Sequence, residues 1–381
     1  MQRLNNLEEL LRKLALALSL WLTACSRDGG RPVVVGLAGP FSQPRGVSMQ
    51  RAAELAVKEI NARGGLRGRP MALRIMDDSG RADVAIRVAQ ALTDDPEVVA
   101  VIGHLSSGAS LAGARVYGAG RRPVAMISPS ASSPDLSGVN RFVFRVCPSD
   151  LSHGAQLARY ARQTLGARRA GIIYFDDDYG RGLRLSFAAE FRRLGGTVLE
   201  EDPSLPATTS LEPYLARMRQ AGGVDVLMLA TERGGAELAL RDQARLGLRW
   251  PTIGGDALTG IEGGGALAEG VRLSSAYLPD GPGDRNAVFV AAYARAYEGQ
   301  RPDHRGAGAY DIVQLLATRV FPGAGTDRRA VRDYLARIGS GLPAYDGVTG
   351  TIAFDGRGDV PLKSVVVGVV RGGRIVTEGG Q

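Results

Sequence analysis

Short apolar runs alternate with amphipathic segments from Val33 onward. "VVVGLAG", "MALRIMDD" and "VVAVIGH" are separated by "SMQRAAELAVKEINARGG" and "DVAIRVAQALTDD". Uninterrupted apolar runs are typical of parallel strands buried on both faces, and their alternation with helical segments predicts βαβ units. The first helical segment carries an apolar stripe with residues three or four positions apart: Met49, Ala53, Val57 and Ile60. This pattern predicts a parallel sheet covered by helices on both faces.

The same alternation begins again after "FRVCPSD". Helical "GAQLARYARQTLG" precedes the apolar "RAGIIYF", and "TVLEE" and "DVLMLA" follow with helical segments between them. We therefore expect two similar α/β lobes rather than one continuous sheet. The length of 381 residues agrees, because single hydrophobic cores stop growing near about 250–300 residues.

The last hundred residues depart from this alternation. Three helical stretches are predicted near residues 284–299, 306–320 and 327–339. The terminal "SVVVGVVRGGRIV" predicts a strand pair that turns at Gly372 and Gly373, because two consecutive glycines are typical of a tight hairpin turn.

The N-terminal segment has the pattern of a targeting signal. Arg12 and Lys13 precede "LALALSLWLTAC", an apolar stretch too short to span a bilayer but suited to a signal peptide. Its end, "LTAC", resembles the bacterial lipobox, in which the cysteine thiol takes a lipid. This implies a lipoprotein signal peptide over residues 1–25, lipidation of Cys25 and a linker over residues 26–32. The alternative is a short buried helix with an incidental cysteine.

Composition narrows the class of protein. The chain is 44% hydrophobic and 6% aromatic, as in soluble globular proteins. Its net charge of +8 comes from scattered arginines rather than from a basic block with aromatic residues, so we expect no nucleic-acid binding. The second of its two cysteines, Cys147, is predicted to be a buried apolar residue, and no intrachain disulfide is available if Cys25 is lipidated.

Hydroxyl groups follow the predicted strand that ends near Gly103. Residues 101–110 read "VIGHLSSGAS", with a helix expected to start near Ser110. Ligands of open α/β sheets bind at the carboxyl ends of strands, and the free N–H groups of a helix N-terminus attract anions. This segment is therefore a candidate carboxylate site. The alternative is that Ser107 or Ser110 is an ordinary helix N-cap.

Catalytic and metal sites find little support in the sequence. His104 lies near Ser107, but "GHLSSG" lacks the G-x-S-x-G of a nucleophile elbow. "DDDYG" lacks the ligand spacing of an EF-hand, and no cysteine and histidine cluster suggests zinc. We expect no catalytic residue, no metal and no cofactor, although three histidines leave a Ser-His-Asp hydrolase as an alternative.

Several segments together resemble one known family. "VGLAGPFS", "RAAELAVKEINARGGLRGRPMALRIMDDSG", "VIGHLSSGAS", "ISPSASSPDL", "YGRG" and "GTIAFDGRGD" are similar to segments of leucine/isoleucine/valine-binding proteins, the type I periplasmic solute-binding proteins of ABC importers. The resemblance runs from about residue 33 to about residue 370. It implies an α/β fold of two doubly wound parallel-sheet lobes, joined by a hinge of three crossings near residues 147, 277 and 348. Lobe 1 would comprise residues 33–147 plus 278–348, and lobe 2 residues 148–277 plus 349–381.

The resemblance also implies a ligand site between the lobes. Ser107 matches the family serine that holds the ligand carboxylate, Ser130 offers a backbone carbonyl, and Ser132 offers a hydroxyl. From lobe 2, the backbone and ring of Tyr179 would face the ligand. Asp256 would pair with the ligand ammonium; without the resemblance, it reads as an ordinary solvated loop residue.

Glu232 departs from the family pattern. Relatives specific for branched amino acids often place an aromatic residue near this point, so a carboxylate at Glu232 leaves room for a polar, cationic or amide ligand. Arg45 lies in a loop that, in relatives, approaches the side chain of the ligand.

The resemblance predicts an extracytoplasmic substrate-binding lipoprotein. It would capture an amino acid or a related small polar solute and deliver it to the permease and ATPase subunits of an ABC transporter. We expect a monomer in the periplasm or at the cell surface, held to the membrane only through the lipid on Cys25. The alternative is an exported sensor domain of the same fold, which would act on a receptor.

Overall fold

The structure is a computed structural model that describes residues 30–378. The predicted signal peptide and the lipidation site at Cys25 lie outside the described residues.

The first lobe is built on a five-stranded parallel sheet with the strand order β2-β1-β3-β4-β5. Every residue of β1 and β3 is buried, as their uninterrupted apolar runs predict. The strands are β1 (Val33–Gly39), β2 (Met71–Asp77), β3 (Val98–Ile102), β4 (Met126–Ser128) and β5 (Val143–Arg145). The helices between them are α1 (Pro44–Ala62), α2 (Ala82–Asp94) and α3 (Ser107–Tyr117).

The second lobe has a seven-stranded sheet with the order β14-β13-β10-β9-β8-β6-β7. Its strands are β6 (Arg169–Phe175), β7 (Thr197–Ser204), β8 (Val226–Ala230), β9 (Thr252–Gly254), β10 (Arg272–Ser275), β13 (Val366–Arg371) and β14 (Arg374–Thr377). Its helices are α4 (Asp150–Gln163), α5 (Asp178–Arg193), α6 (Glu212–Gln220) and α7 (Arg233–Arg245). Strands β6 to β10 are parallel, whereas β13 and β14 form the predicted antiparallel pair.

Three helical stretches after β10 return to the first lobe. They are α8 (Asp284–Ala296), α9 (His304–Leu315), which continues through a π-helical turn into α10 (Phe321–Ala324), and α11 (Arg328–Arg337). Ile312 and Leu316 share one apolar core with Leu37 and Ile102 of the first sheet. The first lobe is therefore built from two separate parts of the chain, one before and one after the second lobe, as the family resemblance implies.

The third passage between the lobes differs from the predicted position near residue 348. Strands β11 (Tyr345–Gly347) and β12 (Gly350–Ile352) form a hairpin, after which Phe354 packs edge-on against Phe144 at 5.1 Å between ring centroids. Val360 belongs to the same core, and Asp359 pairs with Arg145 at 2.8 Å. The chain leaves the first lobe only after Val360, because these contacts hold residues 349–360 there.

The predicted fold class is confirmed. A sheet of five parallel strands and a sheet of five parallel and two antiparallel strands, each covered by helices, are joined by several passages of the chain. Between residues 30 and 378, no helix is long and apolar enough to cross a membrane.

Candidate functional site

One cleft between the lobes brings the predicted ligand residues together; we call it the interlobe cleft. It is lined by Ser107, Ser130, Ser132, Tyr179, Glu232 and Asp256. Further residues complete its wall: Arg45, Leu105, Ser106, Asp177, Ala257 and Arg305. All six predicted residues lie in the loop or first helical turn that follows the carboxyl end of a strand, which is where α/β sheets bind ligands.

Ser107 is the first residue of α3, which begins three positions earlier than predicted. The N-cap is Ser106, and Ser110 donates its hydroxyl to the carbonyl of His104 at 3.1 Å. Neither Ser107 nor Ser110 is therefore an N-cap. The Ser107 hydroxyl accepts a hydrogen bond from the amide of Ser133 at 3.2 Å, which leaves its hydrogen free for an acceptor in the cleft. The free N–H groups of the first turn of α3 add to this attraction for an anion.

The loop after β4 is held from inside the lobe. The Ser128 hydroxyl donates to the carbonyl of His104 at 2.7 Å and accepts from the amide of Ala131 at 3.0 Å. The carbonyl of Ser132 accepts from the amide of Asp150 at 2.8 Å. Ser130 and Ser132 are thus presented to the cleft by a loop with fixed backbone contacts.

Tyr179 lies in the first turn of α5, where it contacts the loop that carries Asp256. Its hydroxyl accepts from the amide of Ala257 at 3.4 Å. A Cβ at Gly255 would lie 2.2 Å from this hydroxyl, so glycine is required for the approach. Burial, together with the charge of Asp256, raises the pKa of Tyr179 well above its usual range. Tyr179 therefore stays protonated and can donate.

Asp256 carries a carboxylate oxygen that is buried and has no hydrogen-bond partner among the described residues. This atom, Oδ2, lies 3.6 Å from Nε2 of His304 and 4.0 Å from Nε2 of His153. Burial lowers the pKa of both histidines, to about 4 for His304, so both are neutral near pH 7. Burying a carboxylate without a donor is unfavourable. The position therefore favours a cation or a hydrogen-bond donor from a ligand.

A second buried carboxyl group, Asp150, lies close to Asp256. Burial and the charge of Asp256 raise the pKa of Asp150 well above its usual range. Both oxygens of the Asp150 carboxyl group are buried and have no hydrogen-bond partner among the described residues, so its protonated form is favoured. Among residues 30–378, no group of histidine, cysteine or acidic side chains is arranged to hold a metal ion.

Glu232 and Arg45 form an ion pair across the interlobe cleft. Glu232 is the N-cap residue of α7 in the second lobe, and its Oε1 pairs with Nη1 of Arg45 in α1 of the first lobe. Arg45 also donates through Nε to the side-chain oxygen of Gln43 at 2.9 Å. The negative charge of Glu232 is therefore already compensated by a cation from the opposite lobe.

The geometry does not support a catalytic triad. The ring nitrogens of His104 contact Asp78 at 2.6 Å and the hydroxyl of Tyr117 at 3.1 Å, so neither nitrogen activates Ser107. His304 contacts Ser130 at 3.3 Å, but it faces Ser130 and Asp256 through the same nitrogen, Nε2. A triad requires the acid on the other ring nitrogen.

The sequence matches one known protein family over most of its length. A model of the periplasmic binding protein family matches residues 32–374. The chain belongs to this family. The predicted resemblance to type I periplasmic binding proteins is confirmed, and so is the expectation that the protein is not an enzyme. Periplasmic binding proteins are exported, which agrees with the predicted export of this chain.

Relatives cover nearly all of the periplasmic binding protein described here. The Leu/Ile/Val-binding protein homolog 1 of Brucella abortus is 27% identical over 341 residues, which are 88% of this chain and 89% of the relative. An ABC transporter substrate-binding protein from Desulfitobacterium hafniense, solved in complex with Leu, is 32% identical. The two structures superpose with a TM-score of 0.78, and the match covers 91% of this chain and 100% of the Desulfitobacterium hafniense chain. The leucine-binding protein LivK of Thermotoga maritima is 25% identical to this chain, with a TM-score of 0.81. The match covers 91% of this chain and 98% of the LivK chain.

Sequence reasoning missed Arg305, which lines the cleft, and its neighbour His304, which contacts Asp256. Asp303 caps α9 by accepting from the amides of Arg305 and Gly306 at 3.0 Å each. Asp303 before a helical segment is a recognisable start signal, although the predicted helix began at residue 306. The signal locates the first turn of α9, but nothing in it shows that this turn faces the second lobe.

Proposed function

We propose that the protein is the substrate-binding subunit of an ABC importer and captures an amino acid in the interlobe cleft. One observation carries the proposal. Ser107 and the N-terminus of α3 offer hydrogen-bond donors on the first lobe, while Asp256 offers an unpartnered buried carboxylate on the second. An α-amino acid presents the complementary pair of groups, a carboxylate and an ammonium.

Each end of the amino-acid head group has its own partners. The carboxylate accepts from the hydroxyl of Ser107 and from the first turn of α3, with the hydroxyl of Ser132 beside it. The ammonium pairs with Asp256, and the backbone carbonyl of Ser130 accepts one of its hydrogens. Charge-assisted bonds of this kind are strong where closure excludes water.

The ligand stabilises a closed arrangement because its two charged ends bind opposite lobes. A ligand shifts a conformational equilibrium by its difference in affinity for the two states. An amino acid that contacts only the first lobe in an open form gains Asp256 and Tyr179 on closure. Hinge closure around a ligand is the known behaviour of binding proteins, and the closed form is the one that a permease would recognise.

The relatives support the class of ligand and the role in transport. The Desulfitobacterium hafniense protein was solved with leucine, and the Brucella abortus relative is named for branched-chain amino acids. We propose the same chemical class, an amino acid or a related polar solute, and the same partners, the permease and ATPase subunits of an ABC transporter. The Desulfitobacterium hafniense protein is an ABC transporter substrate-binding protein, so a sensor role on a receptor is not favoured.

The mature protein would be a monomer anchored by its N-terminus. The proposal places the end of the signal peptide at residue 25 and a lipid on Cys25, with the linker up to residue 32 separating the first lobe from the membrane. The lobes then project from the membrane surface, where they can meet the permease.

Thermal unfolding of residues 26–381 against a panel of amino acids tests the proposal. A ligand at about a hundred times its Kd adds about 2.7 kcal/mol to stability, which raises the unfolding temperature by a few degrees. Amines without a carboxylate and acids without an ammonium are the controls, and we expect no shift from them at the same concentration. Equal shifts from the controls, or no shift from any amino acid, would overturn the proposal.

A further inference from the structure

Most of the lining of the interlobe cleft apart from the residues assigned to the head group is charged. Two arginines and two acids form this wall: Arg45, Arg305, Asp177 and Glu232. Among the described residues, only Leu105 and Ala257 contribute wholly apolar side chains to the cleft. An aliphatic ligand side chain gains affinity by burying apolar surface against apolar surface. This wall offers very little apolar surface.

The two arginines of this wall belong to the first lobe, and the two acids belong to the second. Arg45 pairs with Glu232 across the cleft. Arg305, which is 5% exposed, donates through Nη1 to Asp303 at 3.0 Å, while its buried Nε–H has no partner among the described residues. The wall therefore combines an unused N–H donor from the first lobe with carboxylate acceptors from the second.

The charges of this wall discriminate between ligand side chains. A second carboxylate on the ligand would approach Arg45 and Arg305 but also the like charge of Glu232. A second ammonium would approach Glu232 but also the two guanidinium groups. An aliphatic side chain would separate the charged partners from water and supply no hydrogen bond to any of them, which is unfavourable.

A neutral amide satisfies both sides of the wall. Its carbonyl oxygen accepts from a guanidinium, and its NH₂ group donates to a carboxylate, with no change in net charge. We propose that the preferred ligand is an amino acid with a side-chain amide, and that Arg45, Glu232 and Arg305 determine this specificity. The inference rests on the proposed function, because the amide can reach this wall only if Ser107 and Asp256 hold the head group.

Calorimetric titration of residues 26–381 with glutamine, asparagine, glutamate, lysine and leucine tests the specificity. We expect the better of the two amide ligands to bind at least about tenfold more tightly than leucine, since a site built for hydrogen bonds disfavours a ligand that lacks them. Leucine binding as tightly as, or more tightly than, both amides would overturn the inference.

Two variants locate the specificity in the wall. In Glu232→Gln the charge that opposes a ligand carboxylate is removed, so glutamate should gain about tenfold relative to glutamine. In the double variant Arg45→Met with Glu232→Leu, two of the four charged residues of the wall become apolar, and the preference should shift at least about tenfold toward leucine. The single variant keeps the test valid if the double variant does not fold. Unchanged ligand ratios in a folded variant would contradict the inference.

A matched ion pair and one head-group variant serve as controls. Glu190 and Arg193 form an ion pair at 2.6 Å at the C-terminal end of α5, the end opposite to Tyr179, and do not line the interlobe cleft. Arg193→Met with Glu190→Leu should leave the ligand ratios unchanged. If leucine is preferred and its binding is lost in Asp256→Asn, the proposed function stands and this inference fails. If no amino acid binds the wild type, both fail.

Discussion

His304 of the first lobe lies 3.6 Å from Asp256 of the second, measured from Nε2 to Oδ2. The same nitrogen is 3.3 Å from the hydroxyl of Ser130, and Nδ1 is 3.3 Å from the hydroxyl of Thr259 in the second lobe. One imidazole therefore contacts the proposed ammonium site and both walls of the cleft. We infer that His304 is a positioning residue for Asp256 in the closed form.

This placement makes ligand affinity sensitive to acid. Burial lowers the pKa of His304 to about 4, with Arg305 and His153 acting in the same direction and Asp256 and Asp303 against it. In an open cleft, the pKa of this imidazole would return toward its usual value near 6.5. At a pH between about 4 and about 6.5, the imidazole therefore binds a proton in the open form but not in the closed form. Closure is therefore fully favoured above about pH 6.5 and weakens as the pH falls toward 4.

Calorimetric titrations from about pH 7 to about pH 5 measure the effect. The wild type should lose affinity by up to about tenfold per pH unit below about pH 6.5. His304→Gln keeps a hydrogen-bonding side chain but cannot take up the proton, so its affinity should change less over the same range. All other titratable groups are the same in both proteins, so the difference between the two slopes isolates His304. Identical slopes would contradict the role given to His304.

Ser107→Ala should weaken amino-acid binding. It removes a hydroxyl whose hydrogen is free to donate to the ligand carboxylate, because its oxygen already accepts from Ser133. The expected loss is about 1.5–3 kcal/mol, as for other hydrogen bonds to charged groups. Calorimetry with an amino acid and with its α-carboxamide gives the comparison. Only the amino acid should be affected strongly, and equal losses for both ligands would show that Ser107 does not hold the carboxylate.

Arg328 is expected to be important for the stability of the first lobe. This buried side chain donates to four backbone carbonyls of the first lobe, those of Thr93, Asp95, Val98 and Arg122. Arg328→Ala would leave these acceptors without a donor, and each buried polar group without a partner costs about 1–3 kcal/mol. We expect the unfolding temperature to fall by several degrees.

Two further variants show whether the geometry of Arg328 matters. Arg328→Lys should recover only part of the loss, because an ammonium does not reproduce the forked guanidinium. The exposed neighbour Arg329 is the control, and Arg329→Ala should change the unfolding temperature little. Full stability in Arg328→Lys would show that charge alone, rather than the four directed bonds, accounts for the contribution.

Mass spectrometry of the protein purified from cell envelopes tests the proposed anchor. The mature chain should begin at Cys25 and carry the additional mass of acyl chains. Cys25→Ser should lack this mass and be released from the membrane fraction, whereas Cys147→Ser should keep the anchor, since Cys147 is buried in the folded chain. An unmodified mature N-terminus in the wild type would contradict lipidation.

Much of the fold could be predicted because its signals are local. The run Val98–Ile102 is buried at every position, as expected of a central parallel strand, and the hydroxyls after it lie at a strand end, where ligands bind. The alternation of such runs with amphipathic helices is visible within short windows of sequence. Chain connectivity is not local: the return of α8, α9 and α11 to the first lobe could be expected only from the family resemblance.

The contacts across the cleft could not be predicted from the sequence. Asp256 and His304 belong to different lobes, and no periodicity connects a loop after β9 with the first turn of α9. The pairing of Glu232 with Arg45 likewise depends on how the two lobes meet. The family resemblance implies a third passage near residue 348, but the contacts of Phe354, Asp359 and Val360 with the first lobe move it further along the chain.

The central claim is that Asp256 binds the ammonium of an amino acid held between the lobes. Calorimetric titration of the wild type and Asp256→Asn, each with an amino acid and with its N-acetyl derivative, tests it most directly. We predict one site per wild-type chain. Loss of either the ligand ammonium or the Asp256 charge should cost about 2–5 kcal/mol, and loss of both should cost little more than loss of one. Equal affinity of Asp256→Asn and the wild type for the amino acid would contradict the claim.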